Sequence, residues 1–341
     1  MFFNIYIEKE DKEEIMQIEK KIDQVYNLSD REILFPIKKM QEYGGILPYL
    51  DQISEIRIRA NQPIIFYIKG KESYLTKEGI ISSEGKNCKI ASYEEIRELL
   101  QFWCQNSRYA YEDQIKKGFL TLKKGHRVGL CGEVVLKEHK EVQTIKYISS
   151  LNIRIAHEVK GVCDPFLPYI YENNQVKNIL ILSSPGAGKT TLLRDLIRRI
   201  SQGNPWGKGR NISLIDERKE IAACYQGIVQ LDVGPRTDVM DGCPKLCGME
   251  MVLRTMGPSV IAVDEIGEKE EIQLMKEMLK CGCAIITTIH AASLEEFFEK
   301  NRYEILQKER IFDLFIELTK KEDGFHGRIL EKGKQEICWL Y

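Results

Sequence analysis

The sequence predicts an α/β fold with a mainly parallel sheet, preceded by a smaller α+β domain. Three observations carry that prediction. Ile179-Leu180-Ile181-Leu182 is an unbroken apolar run that gives way to a small-residue turn, Ser183-Ser184-Pro185-Gly186-Ala187-Gly188, and then to the helix-like Leu192-Leu193-Arg194-Asp195-Leu196-Ile197. Three further apolar runs follow at helix-length separations, Ile212 to Ile215, Val260 to Val263 and Ala284 to Ile289. This is the rhythm of parallel strands covered on both faces. Before about residue 160 the pattern is instead one of short alternating strands around a capped helix.

In chain order, Asp11 to Val25 reads as a charged helix, and a second helical region ends at Ile46 to Leu50. Glu55-Ile56-Arg57-Ile58-Arg59 alternates charge with isoleucine, as a half-exposed strand does, and Pro63 to Ile68 is the next strand. Ser92-Tyr93-Glu94-Glu95 is a capping box opening a helix that carries Ile96, Leu99 and Leu100. Short strands return at Phe119–Leu122, Val128–Leu130, Gly132–Leu136 and Asn152–Ile155. The expected organisation is an α+β domain over 1–160, a linker over 161–177 marked by Gly161, Asp164, Pro165 and Pro168, and an α/β domain over 178–341. Ser293-Leu294-Glu295-Glu296 caps a later helix, and Phe312–Leu318 with Gln335–Leu340 are the expected closing strands.

The turn after Leu182 has the chemistry of a phosphate site. Backbone N–H groups in such a turn, with the positive end of the following helix, bind phosphate oxygens, and only small residues let the backbone come that close. Ser184, Pro185, Gly186, Ala187, Gly188, Lys189, Thr190 and Thr191 are the expected nucleotide-binding residues of this Walker A pattern. Lys189 would reach the β- and γ-phosphates and Thr190 would ligate Mg²⁺. Ser183 stands where the full pattern has glycine. The run Val260 to Val263 ends in Asp264-Glu265, two acids with separate tasks. Asp264 would hold Mg²⁺ through its water shell, and Glu265 would polarise the attacking water. Glu217, in Asp216-Glu217-Arg218 at the end of another strand, is a further candidate for orienting water, and His290 is placed to sense the γ-phosphate. The polar stretch Asp232 to Gly242 reads as a functional or surface loop, and Arg236 and Arg254 are candidate arginine fingers for an adjacent subunit.

Composition narrows the remaining classes. A net charge of −1 gives no global nucleic-acid signature. Only the basic segment Lys116 to Arg127, with Trp103, Tyr109 and Tyr111 before it, keeps a single-strand groove open as an alternative. Ten cysteines without a CxxC pair or regular spacing suggest neither a zinc site nor a disulfide framework, and read as reduced thiols of a cytosolic protein. No apolar stretch is long enough to cross a bilayer, so membrane contact would come through a partner.

Taken together, Glu55–Arg59, Gly125-His126-Arg127-Val128-Gly129-Leu130-Cys131-Gly132, Asn152–Ala156, Pro185–Thr191, Asp216-Glu217-Arg218, Val263–Gly267 and Thr288-Ile289-His290-Ala291 resemble a sporulation relative of the hexameric secretion ATPases of type II and type IV pilus systems. The resemblance implies a RecA-like, AAA+-related P-loop NTPase core that hydrolyses ATP with Mg²⁺, and a homo-oligomer, expected as a hexamer. It implies that Asp216-Glu217-Arg218 matches the acidic box and Thr288–Ala291 the histidine box. The N-terminal domain would pack on a neighbour's core, with Arg127 or Arg154 as trans contributors. It also implies a place in the mother-cell cytoplasm, peripheral to the membrane, energising a secretion-like channel into the forespore through membrane-embedded channel components. Two readings compete: a RecA-like NTPase acting on single-stranded nucleic acid, and a slow nucleotide-dependent switch.

Overall fold

In the extended segment after Ser54, Ile56 and Ile58 fall on one side and Glu55, Arg57 and Arg59 on the other. That alternation makes β1 (Ile53–Arg59) the middle of a sheet with one buried face. The computed structural model describes residues 49, 52–104, 111–137, 141–299, 303–321, 324–331 and 337–340. The helices expected over Asp11–Val25 and toward Leu50, apart from Tyr49, lie outside the described residues, as do Tyr109 and Gln335. The chain divides into two compact units, Met1–His157 and Glu158–Tyr341.

The first unit is a seven-stranded sheet. Its strands are β1, β2 (Ile65–Ile68), β3 (Lys71–Leu75), β4 (Ile81–Ser82), β5 (Phe119–Thr121), β6 (Arg127–Leu136) and β7 (Val142–Arg154), in the order β4-β3-β2-β1-β7-β6-β5. Every pairing is antiparallel. Two strands expected separately, at Val128 and Gly132, are one strand, β6, with a register shift between Cys131 and Glu133. Gly132 is required there, because a Cβ would fall 2.5 Å from the Lys146 carbonyl oxygen and 2.8 Å from the Ile148 Cα. Helix α1 (Tyr93–Trp103) is held by the predicted box: the Ser92 hydroxyl accepts from the Glu95 N–H, and the Glu95 carboxylate accepts from the Ser92 N–H at 2.7 Å. Ile96, Leu99 and Leu100 of α1 and Ile115 of the short α2 (Glu112–Lys116) cover the isoleucine face of the sheet.

The second unit begins earlier than its first expected strand. Residues 161–177, expected as a linker, form a 3₁₀ turn over Asp164–Tyr169 and a small hairpin of β8 (Tyr171–Glu172) and β9 (Gln175–Val176). Cys163, Phe166, Leu167 and Ile170 are buried among the residues of the main sheet, so this stretch is core rather than connection. The main sheet then follows: β10 (Ile179–Ser183), α3 (Lys189–Gln202), a small hairpin of β11 (Gly203–Asn204) and β12 (Gly207–Lys208), β13 (Ile212–Asp216), β14 (Thr237–Asp241), α4 (Lys245–Thr255), β15 (Val260–Val263), α5 (Lys269–Lys280), β16 (Ala284–Ile289), α6 (Leu294–Glu299), α7 (Glu304–Glu309), β17 (Leu314–Lys321), β18 (Gly324–Glu331) and β19 (Ile337–Leu340).

The strand order is β14-β13-β15-β16-β10-β17-β18-β19. The first six strands pair parallel, and β18 and β19 add antiparallel at one edge, so the sheet is mixed. Alternation along β10 shows why it is central: Ile179 and Ile181 pack with Leu192, Leu196 and Ile200 of α3, while Leu180 and Leu182 pack with Met249 of α4 and Met275 and Met278 of α5. Helices therefore cover both faces, and strands this apolar are what such a sheet demands. One expectation fails at the opposite edge. Thr237–Asp241, read as loop, is strand β14, in register with β13 from Ile212↔Thr237 to Asp216↔Asp241. An edge strand has one neighbour and tolerates the two aspartates, Asp238 and Asp241, that make the stretch look like loop.

Among the described residues no helix is long and apolar enough to cross a membrane. Cys88, Cys104, Cys163, Cys224 and Cys283 are buried, whereas Cys131, Cys247 and Cys281 are exposed, so the thiols are less uniformly buried than free cysteines usually are.

Candidate functional site

In an open α/β sheet, ligands sit beyond the carboxyl ends of the strands. At that edge β10 ends in Ser183, β13 in Asp216 and β15 in Val263, and the next residues, Asp264 and Glu265, face β16 with Thr288 and His290. The turn from β10 to α3 takes two left-handed backbone angles, φ +76° at Gly186 and φ +92° at Gly188, which L-residues rarely adopt. No atom lies within 4 Å of where a Gly186 Cβ would be, and no side chain caps α3 at Gly188. The first-turn N–H groups of α3 thus lack both intrahelical and side-chain acceptors. Ser183, at the position that usually holds glycine, is not among the positive-φ residues; its hydroxyl donates to the Ser184 carbonyl at 2.8 Å, so the loop closes without strain at that point.

Lys189 opens α3 and is 9% exposed. Its ammonium donates to the Ser183 carbonyl at 2.9 Å and to His290 Nδ1 at 2.8 Å. Burial pushes its pKa below the ordinary lysine value, against the opposing pull of Glu265 and Asp264. An ammonium has only donors, so Nδ1 must accept, and the other imidazole nitrogen carries the proton in the neutral ring. That nitrogen, His290 Nε2, lies 3.2 Å from Glu265 Oε1, and Arg218 Nη2 lies 3.1 Å from Glu265 Oε2. Lys189, His290, Glu265 and Arg218 therefore form one continuous string of alternating donors and acceptors.

Glu265 has φ +50°, a left-handed conformation for a side chain with no local preference for it. It is held from three directions. The Glu265 N–H donates to Thr288 Oγ1 at 3.0 Å, and that hydroxyl donates to Asp264 Oδ1 at 3.0 Å. Lys245 Nζ donates to the Glu265 carbonyl at 2.7 Å, and the next N–H, of Ile266, donates to the Thr288 carbonyl at 3.0 Å. Burial raises the Asp264 pKa, and the Thr288 hydroxyl works against that shift.

The predicted residues separate into those the fold brings together and those it does not. Lys189, Asp264, Glu265, His290 and the loop Ser184–Gly188, with Thr190 and Thr191 in the first turn of α3, converge at the carboxyl edge of the sheet. Glu217 is exposed one residue beyond β13. Its neighbour Asp216 faces inward and accepts from the N–H groups of Glu220, Ile221 and Ala222 at 2.9–3.0 Å, so it orders the following loop. Replacing Asp216 with alanine should strand those donors and cost about 3 kcal/mol or more, measurable in a denaturant titration. Arg236 and Arg254 are not at the site. Arg236 precedes β14, its guanidinium donating to the Ser201 carbonyl at 2.9 Å, and Arg254 is in the last turn of α4; both stand toward the amino-terminal edge of the strands. The arginine that does reach the acid is Arg218. In the first unit Trp103 and Tyr111 are buried in the core, and Arg127 lies over the Phe119 ring at 4.5 Å, so these aromatic faces are not laid out for stacking bases.

Comparison with known proteins now decides the family. The family model described as sporulation stage III, protein AA matches residues 19–335. The chain belongs to that family. Stage III sporulation protein AA of Bacillus subtilis (strain 168) is 38% identical over 282 residues, covering 82% of this chain and 87% of that protein. Among solved structures, the ATPase DotB of Yersinia pseudotuberculosis is similar with a TM-score of 0.57 at 13% identity, over 87% of this chain and 80% of that one. The pilus retraction motor PilT, solved with bound ADP, gives a TM-score of 0.54 at 15% identity, over 84% and 81%. At these identities the likeness is one of fold, the α/β fold of secretion NTPases. Lys245 has no assigned role in the sequence, and Arg218 is read there only as part of Asp216-Glu217-Arg218, because the partner each takes, Glu265, is distant along the chain.

Proposed function

We propose that this chain is an ATP hydrolase that works as an oligomeric ring, a hexamer by family likeness, and energises a secretion-like channel between mother cell and forespore. The observation that carries the reading is the string from Lys189 through His290 and Glu265 to Arg218 at the mouth of a glycine-turned loop. It supports phosphoryl chemistry because it places a cation at the loop and an oriented carboxylate beyond it, the two groups that transfer to water requires. Lys189 would leave Ser183 and His290 to take the β- and γ-phosphate oxygens. Asp264, one of whose oxygens is engaged by Thr288, has the other for the water shell of Mg²⁺, and Thr190 would ligate the ion directly; bound there, Mg²⁺ would neutralise charge building on the phosphates. Glu265 would take the proton of the attacking water, with Glu217 next to it in rank. His290, joined to both Lys189 and Glu265, would report on which partner Lys189 holds. The bound ADP of the similar PilT structure favours adenine nucleotide. Membership in a sporulation family supports the mother-cell location and membrane-embedded partners.

Ring assembly is tested by dilution and mixing. If an arginine from a neighbour completes each site, specific activity should rise with protein concentration, since such a residue is worth roughly 10³ to 10⁵ in rate. A subunit lacking Arg127, Arg154, Arg236 or Arg254 but keeping Glu265 should then regain activity when mixed with a Glu265→Gln partner. Activity per subunit that stays flat on dilution, with no rescue from any of the four, would replace the ring by a self-contained NTPase.

A further inference from the structure

We infer that Lys245 is a positioning residue for Glu265: it locks the left-handed turn that aims the carboxylate, an inference that rests on the hydrolytic reading of the site.

The first sign is that Lys245 is in the wrong place for a helix. It is the first residue of α4, which has no acidic residue in its first turn, and a cation at a helix N-terminus opposes the macrodipole. Something outside α4 must therefore hold it. Its side chain is largely buried and its ammonium has two partners, the Glu265 carbonyl at 2.7 Å and Glu271 Oε1 at 2.9 Å. The second is the strain at Glu265. A left-handed angle is unfavourable for a residue of this type, and it persists only where surrounding bonds over-determine it. The Glu265 N–H is fixed by Thr288, and the Glu265 carbonyl is fixed by Lys245, so the peptide groups on both sides of the turn are pinned.

The third is what stands behind Lys245. Glu271 is 3% exposed; its other oxygen accepts the N–H groups of Gly267 and Glu268 at 3.0 and 3.1 Å, within the capping box that starts α5. One buried carboxylate thus holds both the segment that follows Glu265 and the lysine that holds Glu265 itself. The beginnings of α4 and α5 are tied through this pair, and among the described residues the main-chain acceptor that Lys245 takes is the carbonyl of the candidate base. A lysine serving the core alone would need Glu271 and nothing more. The groups that face Lys245 are Glu265, by its carbonyl, and Glu271; the Glu265 carboxylate itself faces His290 and Arg218.

The test is Lys245→Met in the full chain, beside Glu265→Gln and the double variant. Removing the ammonium while keeping most of the side chain's length should lower kcat on the order of tenfold to a hundredfold, the usual effect of misplacing a reacting group by about 1 Å, and leave KM for ATP within threefold. Amide hydrogen exchange over 264–268 should speed up at least tenfold, a readout independent of turnover. In the Glu265→Gln background the same change should alter turnover less than twofold, because there is no base left to misplace; a purely structural lysine would lower activity in both backgrounds alike. Since the single change leaves Glu271 buried without its cation, Lys245→Met/Glu271→Gln is the folded control and should keep the kcat loss. Wild-type kcat and unchanged exchange in Lys245→Met, with Glu265→Gln slow, would overturn the role of Lys245 and leave the hydrolytic reading intact. Glu265→Gln turning over like wild type would instead remove Glu265 as the base, and with it the catalytic role of Lys245, and exchange over 264–268 would still decide whether Lys245 holds the turn.

Discussion

Lys189→Ala should lower ATP affinity by one to two orders of magnitude while leaving the fold intact. The size follows from the bonds removed: a charge-assisted hydrogen bond is worth about 1.5–3 kcal/mol, and alanine leaves no cation for the β- and γ-phosphates. The fold should survive because the ammonium is not a member of either apolar cluster around the sheet; it serves the Ser183 carbonyl and His290 Nδ1, both beside the loop. Removing it also removes a charge that burial already disfavours, which offsets part of the two lost hydrogen bonds. Calorimetric titration with ATP and a thermal melt on the same sample measure the two quantities together. Affinity within a few-fold of wild type, in a protein that melts normally, would dismiss the loop as a phosphate site.

Glu265→Gln should separate binding from chemistry. Glutamine keeps the length of the side chain and can still accept from His290 or Arg218, so the string at the carboxyl edge stays assembled. What it loses is the capacity to take a proton, and a positioned base contributes typically 10²–10⁴ in rate. The variant is therefore expected to bind ATP within a few-fold of wild type, to turn over more slowly by that factor, and to accumulate in the ATP-bound assembled form. Single-turnover hydrolysis and light scattering with ATP read these outcomes. Equal turnover would transfer the role to Glu217, which lies exposed at the end of β13 and needs no rearrangement to reach solvent.

Much of the second unit is legible in the sequence because its strands are buried on both faces, and such strands announce themselves as unbroken apolar runs. β10 and β15 do so outright, β13 and β16 are mostly apolar with Ser213 and with Thr287 and Thr288 between, and the glycine turn after β10 is marked by residues that suit its backbone angles. Elements with one neighbour or one buried face are quieter. β14 carries two aspartates in five residues, and β18 reads Gly-Phe-His-Gly-Arg-Ile-Leu-Glu, with no apolar run longer than two residues. β6 reads in the sequence as two strands on either side of Cys131, because the register shift at Gly132 interrupts the side-chain pattern while the hydrogen-bond ladder continues past it. Residues 161–177 carry linker punctuation, yet Phe166 and Leu167 are buried; a proline in a 3₁₀ turn and a proline in a linker look alike along the chain.

The site shows the same division. Lys189, Asp264, Glu265 and His290 were readable because each sits at a strand end or a helix start, where local pattern fixes the edge of the sheet. The tie from Lys245 to Glu265 spans 20 positions and joins a helix start to a turn, so only tertiary structure brings it into view. Arg236 and Arg254 are a different case: strand direction puts both toward the opposite edge from this chain's own loop, so a role for either is one toward a neighbouring subunit, as the sequence suggests.

The antiparallel pair β18 and β19 has a bearing on how the protein can be handled. β17 is the direct neighbour of β10, and its Leu314, Ile316 and Leu318 are buried. If the chain were cut after Lys321, β17 would become an outer strand with an apolar middle and an unshielded row of N–H and C=O groups, the kind of edge along which separate molecules join into aggregates. The last two strands thus act as a solubility cover for the half of the sheet that carries the loop, and tags or deletions at that end bear on aggregation before they bear on catalysis.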